Sequence, residues 1–489
     1  MLAPEGAVER KTSRSAPGAP ADAGMLEALS DWFGPEALRR LAERGTATVR
    51  ETLDRDLTLI DRLLTEQIDA ILHHPAFQRL EAAWRGLDYL TRQTQGVDGV
   101  LVRVLHASWA EICRDQERAV EFDQSALFHK VYEEEFGTPG GRPYGLLIGV
   151  YDVQHRRTPD HLTDDIGALR GLAVIAAASF APLVLGATPV LLGLDSWADL
   201  GQPIDLATPF RHPDYARWHQ LQAMEEARFV GVVLPGVLMR RPYGDEPSMR
   251  LGFRYRESAL GHDDYLWGSG VFAFAAVVVR AFGDYRWFAD IRGVHMDGSG
   301  GGQVTGLPVR SFEAEGGGSA TQSSAEVMLT ETQDRILSEL GFIVLNPCRF
   351  SSDLVFYGNQ SIQRARLYDK ADATASARLS TMLQYMLCVS RFAHHLKVMV
   401  RDSVGAMITP EEIEARLHKW LLGFSLGNEA ASSEMKARYP LREASVQVRE
   451  QPGKPGVFQC LIQLKPHFQL DLVESAFSLT TELVVPQST

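Results

Sequence analysis

Between residues 53 and 90 apolar side chains return every three or four positions, and a proline cuts the series in two. Leu53, Leu57, Ile60, Leu64, Ile68 and Ile71 mark one face of a helix. Pro75 would remove a hydrogen bond from a continuous helix, so the spacing predicts a kink or a restarted helix there. Phe77, Leu80, Trp84, Leu87 and Leu90 then resume the pattern. A stripe of this kind ordinarily faces a core, and these residues are expected to be buried.

Around that stretch the chain has room for much else. Its 489 residues can bury a large core and fill two or three domains. Hydrophobic residues at 45% and charged residues at 23% fit a soluble globular protein. A net charge of −13 argues against broad nucleic-acid binding and suits a basic partner. Cys113, Cys348, Cys388 and Cys460 are scattered, without zinc or thioredoxin-like spacing, so buried thiols in a reducing compartment are expected. Residues 1–24 have no apolar central run, which argues against a signal peptide. Residues 172–192 are long enough to span a bilayer, but Pro182 and Pro189 punctuate them, and no membrane insertion is expected.

Composition and periodicity divide the chain further. Residues 1–23, rich in Ala, Gly, Pro and Ser, read as a disordered tail. Residues 24–95 read as an N-terminal helical segment. In it Leu26, Leu29, Trp32 and Phe33 make a short apolar face, either packed or offered to a partner. Residues 96–370 alternate strands (100–104, 145–151, 183–186, 190–194, 229–234, 342–345) with helices (109–136, 166–178, 271–282), which is an α/β core. Asp164 and Asp165 cap the second of those helices. The glycine-rich runs 298–302 and 316–318 read as flexible loops. Residues 371–440 are mainly helical. In 441–489, Val446 and Val448, then Phe458 and Leu461 after the turn at 452–456, then Leu479 and Leu483 lie on three strands. These form an antiparallel β element whose edges can recruit a neighbour's strand. The fold class is therefore a mixed α/β core with N-terminal helices and a C-terminal antiparallel element.

Catalytic patterns are missing. Gly453-Lys454 runs into Pro455, which cannot open a phosphate-binding helix, and residues 298–303 fail the dinucleotide fingerprint at its last glycine. Cys388 and His394 or His395 are nearly two helical turns apart, roughly 9–10 Å of rise, too far for a hydrogen bond within one helix. Adjacent histidines point apart and make no zinc site, and His262-Asp263-Asp264 lacks a fourth ligand. No cofactor and no metal are expected. A hydrolase assembled from distant residues such as His262, Asp263 and His295 is the alternative from another class.

The wording of the opening stretch carries more than its period. His74-Pro75-x-Phe77-Gln78-x-Leu80-Glu81-x-x-Trp84-Arg85-Gly86-Leu87 resembles the signature of the large sheath subunit of bacterial type VI secretion systems, the TssC/VipB/ImpC family. Further similar markers follow in order: 123–128, 131–137, Gly140-Gly141-Arg142-Pro143-Tyr144-Gly145, Asp195-Ser196-Trp197, Arg240-Arg241-Pro242-Tyr243-Gly244, Ile291-Arg292-Gly293-Val294 and Gly306-Leu307-Pro308-Val309. The last two are Cys388-x-x-Arg391-Phe392-Ala393-His394-x-Leu396-Lys397 and Leu464-Lys465-Pro466-His467-Phe468-Gln469-Leu470.

The resemblance implies a structural protein, not an enzyme. It implies pairing of residues 24–95 with a smaller sheath subunit and polymerisation with copies of itself into a helical tube around an inner tube protein. Contraction of that tube propels effectors from the cell. The sheath would lie in the cytoplasm, anchored through a baseplate at the inner membrane. The resemblance also implies strand exchange with neighbours through Val446, Val448, Phe458, Leu461, Leu479 and Leu483, and recognition of Leu26, Leu29, Trp32 and Phe33 by an AAA+ disassembly ATPase. A sheath protein of a related phage-tail-like injection system is the neighbouring reading. On this view deleting everything after Leu441 should leave the core folded and abolish tubes.

Overall fold

The computed structural model describes residues 20–138, 140–244, 252–259, 261–295, 300–314, 318–348, 353–366, 368–401, 409–428, 431–450, 457–467 and 477–484. Most of the expected tail, the turn at 452–456 and parts of both glycine-rich runs lie outside the described residues. The chain divides into two compact units, one of residues 1–72 and 242–258, the other of 73–241 and 259–489.

The smaller unit is helical. It holds α1 (Pro20–Phe33), α2 (Pro35–Glu43) and α3 (Thr46–Leu72). Gly34, at a φ of 79°, lets the chain turn between α1 and α2, and Pro35 opens the next helix without losing a needed donor. The Trp32 indole N–H reaches the Asp56 carboxylate on α3 at 3.5 Å. Tyr255, in the segment 252–258, donates its hydroxyl to Asp69 at 2.5 Å. No described residue of α3 is buried.

The larger unit opens with α4 (Pro75–Gln93), whose first turn is capped by the His74 ring accepting from the Ala76 N–H. Next come α5 (Trp109–Arg118), the single turn α6 (Ala126–Phe128) running into a π-helix at His129–Gly137, β1 (Leu147–Val153) and α7 (Asp165–Ala178). They are followed by β2 (Leu183–Ala187), α8 (Ala216–Gln222), β3 (Val230–Leu234), β4 (Val237–Leu238), β5 (Trp267–Gly268) and α9 (Val271–Tyr285). Then come β6 (Gln303–Val304), the hairpin β7 (Arg310–Ala314) and β8 (Gly318–Gln322), α10 (Glu331–Glu339), β9 (Ile343–Pro347) and β10 (Leu354–Phe356). The chain closes with α11 (Ala371–Ser380), α12 (Leu383–Arg401), α13 (Pro410–Leu422), α14 (Ser433–Arg438), β11 (Leu441–Glu450), β12 (Val457–Pro466) and β13 (Phe477–Val484).

Six strands form the central sheet in the order β1-β2-β3-β9-β10-β6. The first four run parallel, and β10 and β6 add antiparallel. β2, β3 and β9 are apolar on both faces because both faces are covered, whereas β1 at the edge is partly exposed. Leu183, Leu185, Val230 and Val232 join α7 in one cluster, while Val184, Val233, Ile343 and Leu345 join α9 in the other. This is the α/β core that the alternation predicts. Asp164 caps α7 as expected, accepting from the Gly167 N–H at 3.2 Å.

Three local readings need correction. Residues 190–194 are not a strand: Pro189–Leu192 is a 3-10 turn closed by Gly193 in the left-handed region. Residues 100–104 are not a strand either, because no described residue pairs with them. The C-terminal sheet β11-β12-β13 is antiparallel as predicted, but it is no separable appendage. Leu441, Ala444, Val446, Cys460, Ile462 and Leu464 are buried members of the main core cluster. The expectation that the core folds without residues after Leu441 runs against this packing, because that truncation removes five of these six buried residues.

Candidate assembly surfaces

The opening stretch divides between two faces of α4, and hydropathy alone selects the wrong one. The buried face is Ala82, Gly86, Tyr89 and Leu90, at i, i+4, i+7 and i+8. It packs on α9 so tightly that a Cβ at Gly86 would overlap the Phe272 ring. Leu90 is core as expected, and Leu87 is half-buried. Phe77, Leu80 and Trp84 are not core: they are 37%, 56% and 66% exposed. The stripe is real, but among the described residues it is left exposed.

α3 repeats the situation in its own unit. Leu57, Ile60, Leu64 and Ile71 are all exposed, with Leu53 and Ile68 half-buried. With Ile68 between the last two, the spacing of four, three, four, four and three is that of one face of an amphipathic helix. A helix that leaves such a face in water is a helix awaiting another.

Family-like markers that are far apart in sequence meet as brackets. Glu81 on α4 accepts from Arg85 at 2.7 Å and from Arg240, of the Arg-Arg-Pro-Tyr-Gly marker, at 2.9 Å. Arg240 is 6% exposed, so the pair is a buried charge match that pins α4 to the core. On α12, the Arg391 guanidinium lies over the rings of Phe282 and Trp287 at 4.8 and 5.4 Å. The Lys397 ammonium lies 3.5 Å from the centroid of Phe136 on the π-helix, and burial pushes its pKa down to about 8. Sequence reasoning missed these partnerships because each marker is uninformative about what it touches.

The residues expected to act at assembly are variously placed. On α1, Leu26 and Trp32 are exposed, whereas Leu29 and Phe33 are half-buried. Val446 is buried, while Val448 and Leu461 are half-buried. In register, Val446 sits opposite Ile462, which pairs with Leu479, and Val448 sits opposite Cys460. Phe458 sits opposite Leu483, and Leu461 between Gln447 and Thr480. The side chains of Phe458, Leu479 and Leu483 lie outside the described residues.

Of the three residues named for a hydrolase, His262 and Asp263 meet at 3.3 Å, with Glu326 3.6 Å from His262, and His295 pairs with Asp290 at 2.8 Å. Burial, opposed by the Gly236 N–H, pushes Glu326 up to about 8. His394 donates to the Ser179 carbonyl at 3.0 Å and is pushed down to about 4 by burial, and burial pushes the Cys388 thiol up to about 12. Among the described residues no group of three His, Cys, Asp or Glu could hold a metal, and no helix is long and apolar enough to cross a membrane. Two hollows, one beside Val304 and Asp353 and one beside Cys388 and His467, have room for about 10 Å³ each, a water and not a substrate.

Apolar faces left exposed on α3 and on α4 are the mark of a subunit of a larger assembly. The comparisons with known proteins say which. A model of the EvpB/VC_A0108 tail sheath N-terminal domain (VipB) matches residues 54–363, and one of the gpW/gp25-like domain of the same sheath proteins matches residues 372–483. The type VI secretion system sheath protein TssC1 of Pseudomonas aeruginosa is 36% identical over 438 residues, covering 88% of this chain and 86% of that protein. The chain belongs to the EvpB/VC_A0108 tail sheath family. Among solved structures it is similar to the anti-feeding prophage baseplate (10% identity, 66% of this chain and 64% of that one, TM-score 0.31) and to that prophage's contracted helical sheath (12%, 67% and 73%, TM-score 0.26). At those scores neither likeness carries an argument.

Proposed function

We propose that this chain is the large subunit of a type VI secretion contractile sheath, pairing with a small sheath subunit and polymerising with copies of itself around an inner tube. The observation that carries the pairing is the exposed face of Leu57, Ile60, Leu64 and Ile71 on α3, with Phe77, Leu80 and Trp84 on α4. Both are amphipathic helix faces of the kind that a second helix covers. No catalytic group is needed: contraction is a cooperative shift between two packings of the same subunits, driven by their difference in free energy. Anchoring through a baseplate follows from the same reading. The exposed Leu26 and Trp32 remain the contact for a disassembly ATPase, with Leu29 and Phe33 available only if α1 lifts. Co-expression with the small subunit, followed by negative-stain microscopy, tests the proposal. Helical tubes or cogwheel-like rings are expected, and soluble monomers without either would overturn it.

A further inference from the structure

From Val100 to Ala107 the chain runs without helix, turn or bend, in the sequence Val-Leu-Val-Arg-Val-Leu-His-Ala. β-branched and leucine side chains at this density make a strand wherever a partner is available. Here no backbone N–H or C=O of residues 100–106 is hydrogen-bonded to another described residue. Beyond Val100, which packs on the α9 cluster, both faces are exposed as well. Leu101 and Leu105 on one are 63% and 51% exposed, and Val102 and Val104 on the other are 42% and 68% exposed. The segment is nevertheless held in place at its middle and at its C-terminal end. Arg103 pairs with Glu135 and lies 3.4 Å from the Tyr144 hydroxyl, and Tyr151 of β1 donates to the Ala107 carbonyl at 2.6 Å.

We propose that residues 100–106 are an incomplete strand, completed when a β-strand of the small sheath subunit pairs along it; this rests on the reading of the chain as the large subunit. Unpaired, regularly spaced backbone groups specify an occupant that offers the same groups in return, which is another strand. A strand apolar on both faces belongs inside a sheet that is covered on both sides. The occupant is the small subunit and not a second copy of this chain because of when the cover is needed. A bare apolar strand is an aggregation hazard from the moment the subunit folds. A contact made only in the polymer would leave it bare in every free subunit, whereas a permanent partner covers it throughout.

Hydrogen exchange on the purified heterodimer of the full chain tests this. Peptides spanning residues 100–106 are expected to exchange at least a hundredfold more slowly than an unbonded chain. In parallel, Leu101→Pro and Val102→Pro each remove one N–H, and adjacent residues point theirs to opposite edges. Whichever edge is used, one of the two variants is expected to weaken pairing at least tenfold while the melting temperature of the chain itself is unchanged. A heterodimer that forms with residues 100–106 unprotected, or with both proline variants pairing normally, overturns the inference alone. Protection that appears only in tubes overturns the choice of occupant. Failure of the unaltered chain to pair at all overturns the large-subunit reading beneath it.

Discussion

Trp84→Ala separates the two ways of reading the opening stretch. Were Trp84 core, its removal would cost the fold about 3–5 kcal/mol. With 66% of its surface in water, it has far less to lose. A tryptophan buries up to about 250 Å², so the covered third is roughly 80 Å², and at about 25 cal/mol per Å² that is near 2 kcal/mol, an upper bound because unfolded chains already hide some surface. The expected loss of stability is about 1 kcal/mol, read by urea unfolding of the chain. The exposed two-thirds, roughly 160 Å², is worth about 4 kcal/mol when a partner covers it. Pairing with the small subunit should therefore weaken by about 2–4 kcal/mol, some thirty- to a thousandfold in Kd. A loss of 3 kcal/mol or more in folding with pairing intact would refute the assignment of this face to an interface.

The opposite face of α4 should behave in reverse: Gly86→Ala forces a methyl into the Phe272 ring and is expected to lower stability by about 1–3 kcal/mol in the same urea assay. Glu81→Ala removes a carboxylate that Arg240 and Arg85 both bond and should lower stability by about 1–3 kcal/mol, whereas a cost under about 0.5 kcal/mol would show these pairs to be dispensable. Glu326 is held protonated to about pH 8 by burial, above its unfolded value, so the folded state binds the extra proton and stability falls as pH rises from about 4.5 to 8. Glu326→Gln should raise the melting temperature at pH 8 and lose that advantage toward pH 4.5. His394, neutral in the fold down to about pH 4, works the other way: its contribution is present above the unfolded value and is lost as pH falls from about 6.5 to 4, when unfolded chains take up the proton. His394→Gln should flatten that acid limb in pH-dependent unfolding. Truncation after Leu441 removes buried core residues and should abolish folding, with no soluble helical protein left by circular dichroism.

The α/β body was legible because each buried parallel strand is a short apolar run between helix signals, as in residues 183–187 and 230–234. What covers a stripe was not legible. Periodicity shows that α3 and α4 have an apolar face, but the face that packs on α9 is marked by Ala82 and Gly86, residues with almost no hydropathy to detect. The strand at 100–104 illustrates the same limit, since propensity describes a segment and a ladder needs two. For the C-terminal sheet the alternation was correct, but its polar-apolar period could not say that the buried face completes this chain's own core.

That last point constrains how the sheath subunits can join. Val446, Cys460, Ile462 and Leu464 already fill the core from β11 and β12. Lending either strand to a neighbour would empty that cluster at a cost of several kcal/mol per large side chain. β11 is also committed on its outer side, where the Val448 N–H donates to Glu414 of α13 and Leu441 bridges to Ser425. β13 is different: it pairs with β12 on one side and with no described strand on the other. We therefore propose that subunits join through the outer edge of β13, which would leave the core residues of β11 and β12 in place. The choice is testable by deleting residues 471–489, which should leave a folded chain that still pairs with the small subunit but makes no tubes. Tubes formed by that truncation would place the junction elsewhere.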